Sequence, residues 1–137
     1  MYKVENMEIK STWFALVVVC LVLLAGCSAG PHTVSLDEGS NGQTVNLKSG
    51  DILQINLKSD PINGYGWKVE RIDPAYLEPT GKDQYTPLGQ DPVAGGTQVL
   101  SFKALKPGTT QLGLAYKRSS GEGVSLPKEF RITVDIK

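Results

Sequence analysis

From Val34 onward, apolar and polar residues alternate with a period of two, not with the 3.6-residue period of a helix. Leu53, Ile55 and Leu57 alternate with Gln54, Asn56 and Lys58, and Leu100, Phe102 and Ala104 alternate with Ser101 and Lys103. Leu112, Leu114 and Tyr116 alternate with Gly113, Ala115 and Lys117. The chain closes on Phe130, Ile132, Val134 and Ile136, set against Arg131, Thr133, Asp135 and Lys137. Successive side chains of a strand point to opposite faces, so these runs predict strands with one face on a core and the other in water. Glycine and proline punctuate them at Ser49-Gly50, Asn63-Gly64, Gly95-Gly96, Pro107-Gly108 and Gly121-Glu122-Gly123. No stretch carries a helical stripe, and residues 73–78 offer one turn at most. Short one-faced strands between turns predict an all-β, antiparallel sandwich or barrel, with the sandwich preferred. Trp67, just beyond the turn at residues 60–64, is the expected anchor between the two sheets. Residues 34–37 and 44–48 read as a hairpin, with a further turn at residues 48–50 leading into a strand over 51–58. In that scheme the first and third strands run the same way. The first strand then begins at the end opposite the turn at residues 60–64.

The start of the chain follows a different pattern. Residues 13–26, WFALVVVCLVLLAG, carry no charge. At about 1.5 Å per helical residue they fall short of a hydrocarbon core roughly 30 Å thick, and they have the length of a signal-peptide core. Lys3 and Lys10 precede them, diluted by Glu5 and Glu8, and a start at Met7 gives a cleaner leader. Leu24-Ala25-Gly26-Cys27 resembles a bacterial lipobox. That resemblance implies a lipoprotein signal peptide over residues 1–27, cleavage before Cys27 and diacylglycerol on its sulfur. Residues 28–33 form a linker of small residues and a proline, spanning about 20 Å at most, before the domain at residues 34–137. The expected location is the cell envelope, by lipid anchoring. Ser28 follows the cysteine where an Asp would suggest inner-membrane retention, which favours the outer membrane in a Gram-negative cell. Cys20 leaves with the leader and Cys27 carries lipid, so the exported domain has neither thiol nor disulfide and rests on its core alone.

Composition narrows the function. Of 137 residues, 14 are Lys or Arg and 14 are Asp or Glu, so no basic stripe invites nucleic acid. One His and two Cys are too few for a zinc site, and no cofactor is expected. The single His32 lies in the linker as a spacer, which leaves a hydrolase without its base and argues against an enzyme. Asp37-Glu38, followed by Gly39-Ser40-Asn41-Gly42, reads as a turn and not as a catalytic carboxylate pair. The evenly mixed charge gives no reason to expect assembly, so a monomer is expected.

Three loops carry the remaining signal. The first is Asp60-Pro61-Ile62-Asn63-Gly64-Tyr65, followed by Gly66-Trp67; the second is Ala94-Gly95-Gly96-Thr97; the third opens at Tyr116-Lys117-Arg118. In this order and spacing they resemble the chagasin-like inhibitors of papain-type cysteine peptidases. That family carries Asn-Pro-Thr-Thr-Gly then aromatic-x-Trp, next Gly-x-Gly-Gly, and last Arg-Pro-Trp before a closing strand. The resemblance covers residues 34–137 and implies an immunoglobulin-like sandwich whose three loops form one wedge. By that resemblance, Asp60, Pro61, Ile62, Asn63, Gly64, Tyr65, Ala94, Gly95, Gly96 and Arg118 bind the peptidase, with the first loop over its catalytic cysteine and histidine. The alternative is a lipid-anchored binding module whose altered loops take another ligand. The chain departs from the pattern at Asp60 for Asn, Ile62 and Asn63 for the two Thr, and Val93 for the first Gly. Ser119 and Ser120 replace Pro and Trp. Loss of an interface Trp costs ~2 kcal/mol or more, over tenfold in affinity. The wedge is therefore expected to be weaker than the family's norm or retuned to another peptidase. The glycines at 95 and 96 are expected to let the partner's backbone approach closely.

Overall fold

The computed structural model describes residues 30–90, 94–118 and 128–137. The leader, Cys27, Val93 and residues 119–127 lie outside them. Among the described residues nine strands form two sheets: β1 (Thr33–Leu36), β2 (Thr44–Leu47), β3 (Ile52–Ser59), β4 (Tyr65–Arg71), β5 (Leu77–Pro79), β6 (Gln84–Pro87), β7 (Gly96–Ala104), β8 (Gly108–Arg118) and β9 (Glu129–Ile136). One sheet runs β1-β3-β7-β5, with β6 also on β7; the other runs β2-β9-β8-β4. Two single 3-10 turns, Glu38–Ser40 and Pro61–Asn63, interrupt the strands.

The predicted alternation sets the core. Leu53, Ile55 and Leu57 of β3 and Leu100, Phe102 and Ala104 of β7 face Leu112, Leu114 and Tyr116 of β8 and Phe130, Ile132, Val134 and Ile136 of β9. Trp67 is 4% exposed and packs in this cluster, donating its indole N–H to the Lys58 carbonyl at 2.8 Å. With no cysteine at residues 34–137, burial of these side chains supplies the stability. The sandwich is the expected one, with a parallel pair added at one edge of each sheet: β1 on β3 and β2 on β9.

Those parallel pairs correct the expected opening hairpin. β1 and β2 lie in different sheets, because the link between them is captured by β9. Gly42 N–H donates to the Arg131 carbonyl at 2.7 Å, and Asn41 Oδ1 accepts from Arg131 N–H at 2.8 Å. β1 and β3 nevertheless run the same way, as expected, because they pair directly: Thr33 lies beside Ile52, and Leu36 beside Ile55. The chain enters the sandwich at the end opposite the turn at residues 60–64. Asp51 closes that entry end, its carboxylate accepting from Lys48 N–H at 2.8 Å and from His32 N–H at 3.2 Å. These backbone donors, chiefly Lys48, hold the Asp51 carboxyl below the ordinary aspartate range. His32 is thus bound by its backbone to the domain, while its side chain is exposed. Asp37 and Glu38 form the expected turn: Asp37 Oδ1 accepts from Gly39 N–H, and Glu38 Oε1 from Lys58 N–H.

Candidate peptidase-binding loops

Strand register brings the described parts of the three loops to one end. β3 ends at Ser59, which pairs with Gly96 at the start of β7. β4 begins at Tyr65, which pairs with Arg118 at the end of β8. The turn at residues 60–64 therefore crosses from one sheet to the other, with Ala94 and Gly95 on one flank and Arg118 on the other. All ten expected binding positions fall within this cluster or on its immediate stems.

The first loop is held by its own atoms. Asp60 precedes the 3-10 turn, and its carboxylate accepts from Asn63 N–H at 3.4 Å and from the Asn63 side-chain amide. Asp60 and Asn63 are two of the departures from the family pattern, and here they answer each other: the carboxylate at 60 is matched by donors at 63. Pro61 sits at the start of the turn, where its fixed φ suits the geometry and its missing N–H costs nothing. Gly64 closes it at φ +77° and ψ 15°, a left-handed conformation costing an L-residue about 1–2 kcal/mol. Its N–H donates to the Pro61 carbonyl at 3.0 Å, and Tyr65 N–H donates to the Asp60 carbonyl at 3.2 Å. Ile62, 54% exposed, rides on the turn with its side chain toward solvent.

Aromatic stacking fixes the root of the loop. The Tyr65 ring stacks on Tyr116 (centroids 5.8 Å apart, planes 18° apart), and Tyr116 leans on Trp67 at 5.3 Å. The Tyr116 hydroxyl accepts from Asp60 N–H at 2.9 Å. Arg118 holds its guanidinium 5.9 Å above the Tyr65 ring, and Lys128 its ammonium 5.4 Å from the Tyr116 ring. Such cation–π contacts contribute about 0.5–1 kcal/mol each at exposed sites. Asp60, Asn63, Tyr65, Tyr116, Arg118 and Lys128 line a shallow concavity beside the loop.

The second loop corrects one expectation. The space beside Gly96 is already filled by the protein itself: a Cβ there would strike the Thr86 carbonyl oxygen and the Tyr85 ring, both of β6. At Gly95, φ is +73° and a Cβ would press on the Ser59 carbonyl at 3.3 Å. These glycines let β6 and β3 approach β7; they do not hold a gap open for a partner. Leu88 N–H donates to the Gly95 carbonyl at 2.9 Å, which ties the loop back to the end of β6.

Tyr116 appeared in the sequence as a core position and as the opening of the third loop, not as a partner of Asp60, and Lys128 and Gln98 did not stand out at all. Gln98 carried a signal, since it occupies the inward phase of β7 with Leu100, Phe102 and Ala104. Among the described residues no cluster of His, Cys, Asp or Glu could hold a metal.

Comparison with known proteins agrees with this geometry. Residues 46–134 match the family described as Chagasin family peptidase inhibitor I42. A curated relative, Amoebiasin-2 of Entamoeba histolytica, is 28% identical over 92 residues, covering 64% of this chain and 72% of its own. The crystal structure of a cysteine protease inhibitor from Entamoeba histolytica shares the fold at 24% identity, with a TM-score of 0.65, over 79% of this chain and all of that one. The solution structure of Amebosin superposes with a TM-score of 0.61 at 25% identity, again over 79% of this chain and all of the other. The matched span takes in β3, β4, β7, β8 and nearly all of β9, with the first two loops whole and the described part of the third, and so the chain belongs to the chagasin family of peptidase inhibitors.

Proposed function

We propose that this protein inhibits papain-like cysteine peptidases reversibly, by inserting the loops at residues 60–64, 94–96 and 118 onward into the active-site cleft. One observation carries the reading: a turn closed by its own hydrogen bonds and by Gly64 spans the two sheets, with Gly96 and Arg118 paired to its two stems. A preformed loop loses little conformational freedom on binding, so more of the contact energy appears as affinity. In the 3-10 turn the peptide groups of residues 60–64 curl back on one another. An extended strand in register with the catalytic cysteine would be a substrate; this turn is not. Ile62 is the apolar contact at the apex, and Arg118 grips one wall. The test is inhibition of papain by the wild-type protein and by Ile62→Asp. Ile62 is exposed, so the variant keeps its fold; inhibition should weaken at least tenfold, and unchanged inhibition overturns the placement of this loop in the cleft.

We further propose that a lipid on Cys27 tethers the domain to the envelope membrane. Support comes from the Leu24-Ala25-Gly26-Cys27 sequence and from the entry of the chain at the end away from the loops. The eight residues of β3 extend over about 26 Å, whereas residues 28–33 reach about 20 Å at most. A lipid at Cys27 therefore leaves the wedge pointing away from the membrane, toward peptidases in the surrounding space.

A further inference from the structure

Gln98 lies in the inward phase of β7, where its neighbours in phase are Leu100, Phe102 and Ala104, and it is 8% exposed. A buried amide needs its donors and acceptors matched. Gln98 Oε1 accepts from Trp67 N–H at 2.8 Å, and Nε2 donates to the Trp67 carbonyl at 3.0 Å and to Asp83 Oδ2 at 3.1 Å. The Ser59 hydroxyl lies 3.3 Å from both Gln98 Oε1 and the Tyr65 carbonyl oxygen, two acceptors for one proton. The orientation of the amide is forced, because a flip would set its NH2 against Trp67 N–H, donor against donor, and its oxygen against the Trp67 carbonyl and the Asp83 carboxylate, acceptor against acceptor.

Trp67 and Gln98 belong to different sheets. The side-chain amide engages both backbone groups of Trp67, which is what a neighbouring strand would do, across a gap that no strand ladder spans. Its position relates this to the loops. Ser59 is the last residue before the turn at residues 60–64, Trp67 follows that turn on β4, and Gln98 stands two residues beyond Gly96. One amide thus holds both stems of the first loop and the root of the second. Gly66 makes room for it: a Cβ there would sit 3.3 Å from Gln98 Oε1.

Building on the inhibitor reading above, we infer that Gln98 is a positioning residue of the wedge, fixing the first loop relative to the second, with Asp83 holding its amide in place. The peptidase never touches it. The test compares Gln98→Ala, the milder Ser59→Ala and the core variant Ile136→Val in the full chain, kept in mild detergent at a temperature where all are folded. Ile136 pairs with Gly108 at the other end of the sandwich. Gln98→Ala should weaken papain inhibition at least tenfold and Ser59→Ala less, while Ile136→Val should inhibit as the wild type does. Hydrogen exchange by mass spectrometry supplies an arm that needs no peptidase. Peptides containing Gly64, Tyr65 and Leu88 should exchange faster in Gln98→Ala, and peptides of residues 108–112 should not. Uniform acceleration over the whole domain, or unaltered exchange at Gly64 and Leu88, overturns the inference. If the wild type itself fails to inhibit papain, the inhibitor reading fails and the exchange arm still decides whether Gln98 holds the loops.

Discussion

The Tyr116 hydroxyl joins the core to the first loop through one hydrogen bond, so its removal should show how far the loop depends on the core. In Tyr116→Phe the ring keeps its stack on Tyr65 at 5.8 Å and its contact with Trp67 at 5.3 Å, and only the acceptor for Asp60 N–H, at 2.9 Å, is lost. A net intramolecular hydrogen bond contributes about 0.5–1.5 kcal/mol, and leaving a buried donor without a partner costs about 1–3 kcal/mol. Asp60 is half-buried beside the concavity lined by Tyr65, Arg118 and Lys128, so water can reach the freed N–H. The lower range therefore applies, about 1 kcal/mol. Urea unfolding should lose about that much, through a lower midpoint with an unchanged slope. The strain falls on the loop, so inhibition of papain should weaken by roughly fivefold, the factor equivalent to about 1 kcal/mol. Wild-type stability together with wild-type inhibition would refute the reasoning, since the hydroxyl would then not be holding the loop.

Gly64→Ala forces an L-residue to φ +77° while its Cβ meets nothing closer than Arg118 Cγ at 3.8 Å. The cost is thus backbone strain of about 1–2 kcal/mol, seen as lower stability in urea if the turn persists or as weaker inhibition if it relaxes. Gly96→Ala should act differently, displacing β6 from β7 and costing about 1–3 kcal/mol by overpacking, measured by thermal unfolding. Asp51 is held below its ordinary pKa by the Lys48 and His32 backbone donors, so its charged form stabilises the fold above the unfolded-state value, and that stability drains away as pH falls through the folded value. Wild type should be more stable than Asp51→Asn at neutral pH, with the difference closing in strong acid; a pH-independent difference in melting temperature would contradict this. Cys27→Ser should abolish metabolic labelling with palmitate and detergent-phase partitioning; retention of both would remove the lipid anchor from the account.

Much of this fold was legible because it is written in period two. Leu53-Ile55-Leu57 and Phe130-Ile132-Val134-Ile136 mark inward faces with no competing helical reading, and Trp67 could only be buried between sheets. The pairing partners of the first two strands were not legible. Both edge strands are four residues long, and their placement depends on Asn41 and Gly42 binding the Arg131 backbone, a contact spanning 90 residues for Asn41 that no local pattern encodes. In the site, Pro61, Gly64 and Arg118 could be read from the chain because turn chemistry and the order of motifs are local. The pairing of Asp60 with Asn63 was also local, yet the two appeared only as separate departures from a pattern. Tyr116 and Gln98 act across the sheets, and only the packed sandwich brings their polar atoms to Asp60 and Trp67. The glycines of the second loop show the reverse case: their presence was evident, but their use, against Tyr85 and Thr86 of the same chain, was not.

The central claim is inhibition by a preformed wedge, and titration of papain with the purified protein tests it most directly. The account predicts dose-dependent inhibition at nanomolar to micromolar concentrations, competitive with substrate, reversed by dilution, and leaving the peptide bonds of residues 60–64 intact. Full papain activity at high micromolar inhibitor, or cleavage of the chain within residues 60–64, would contradict it.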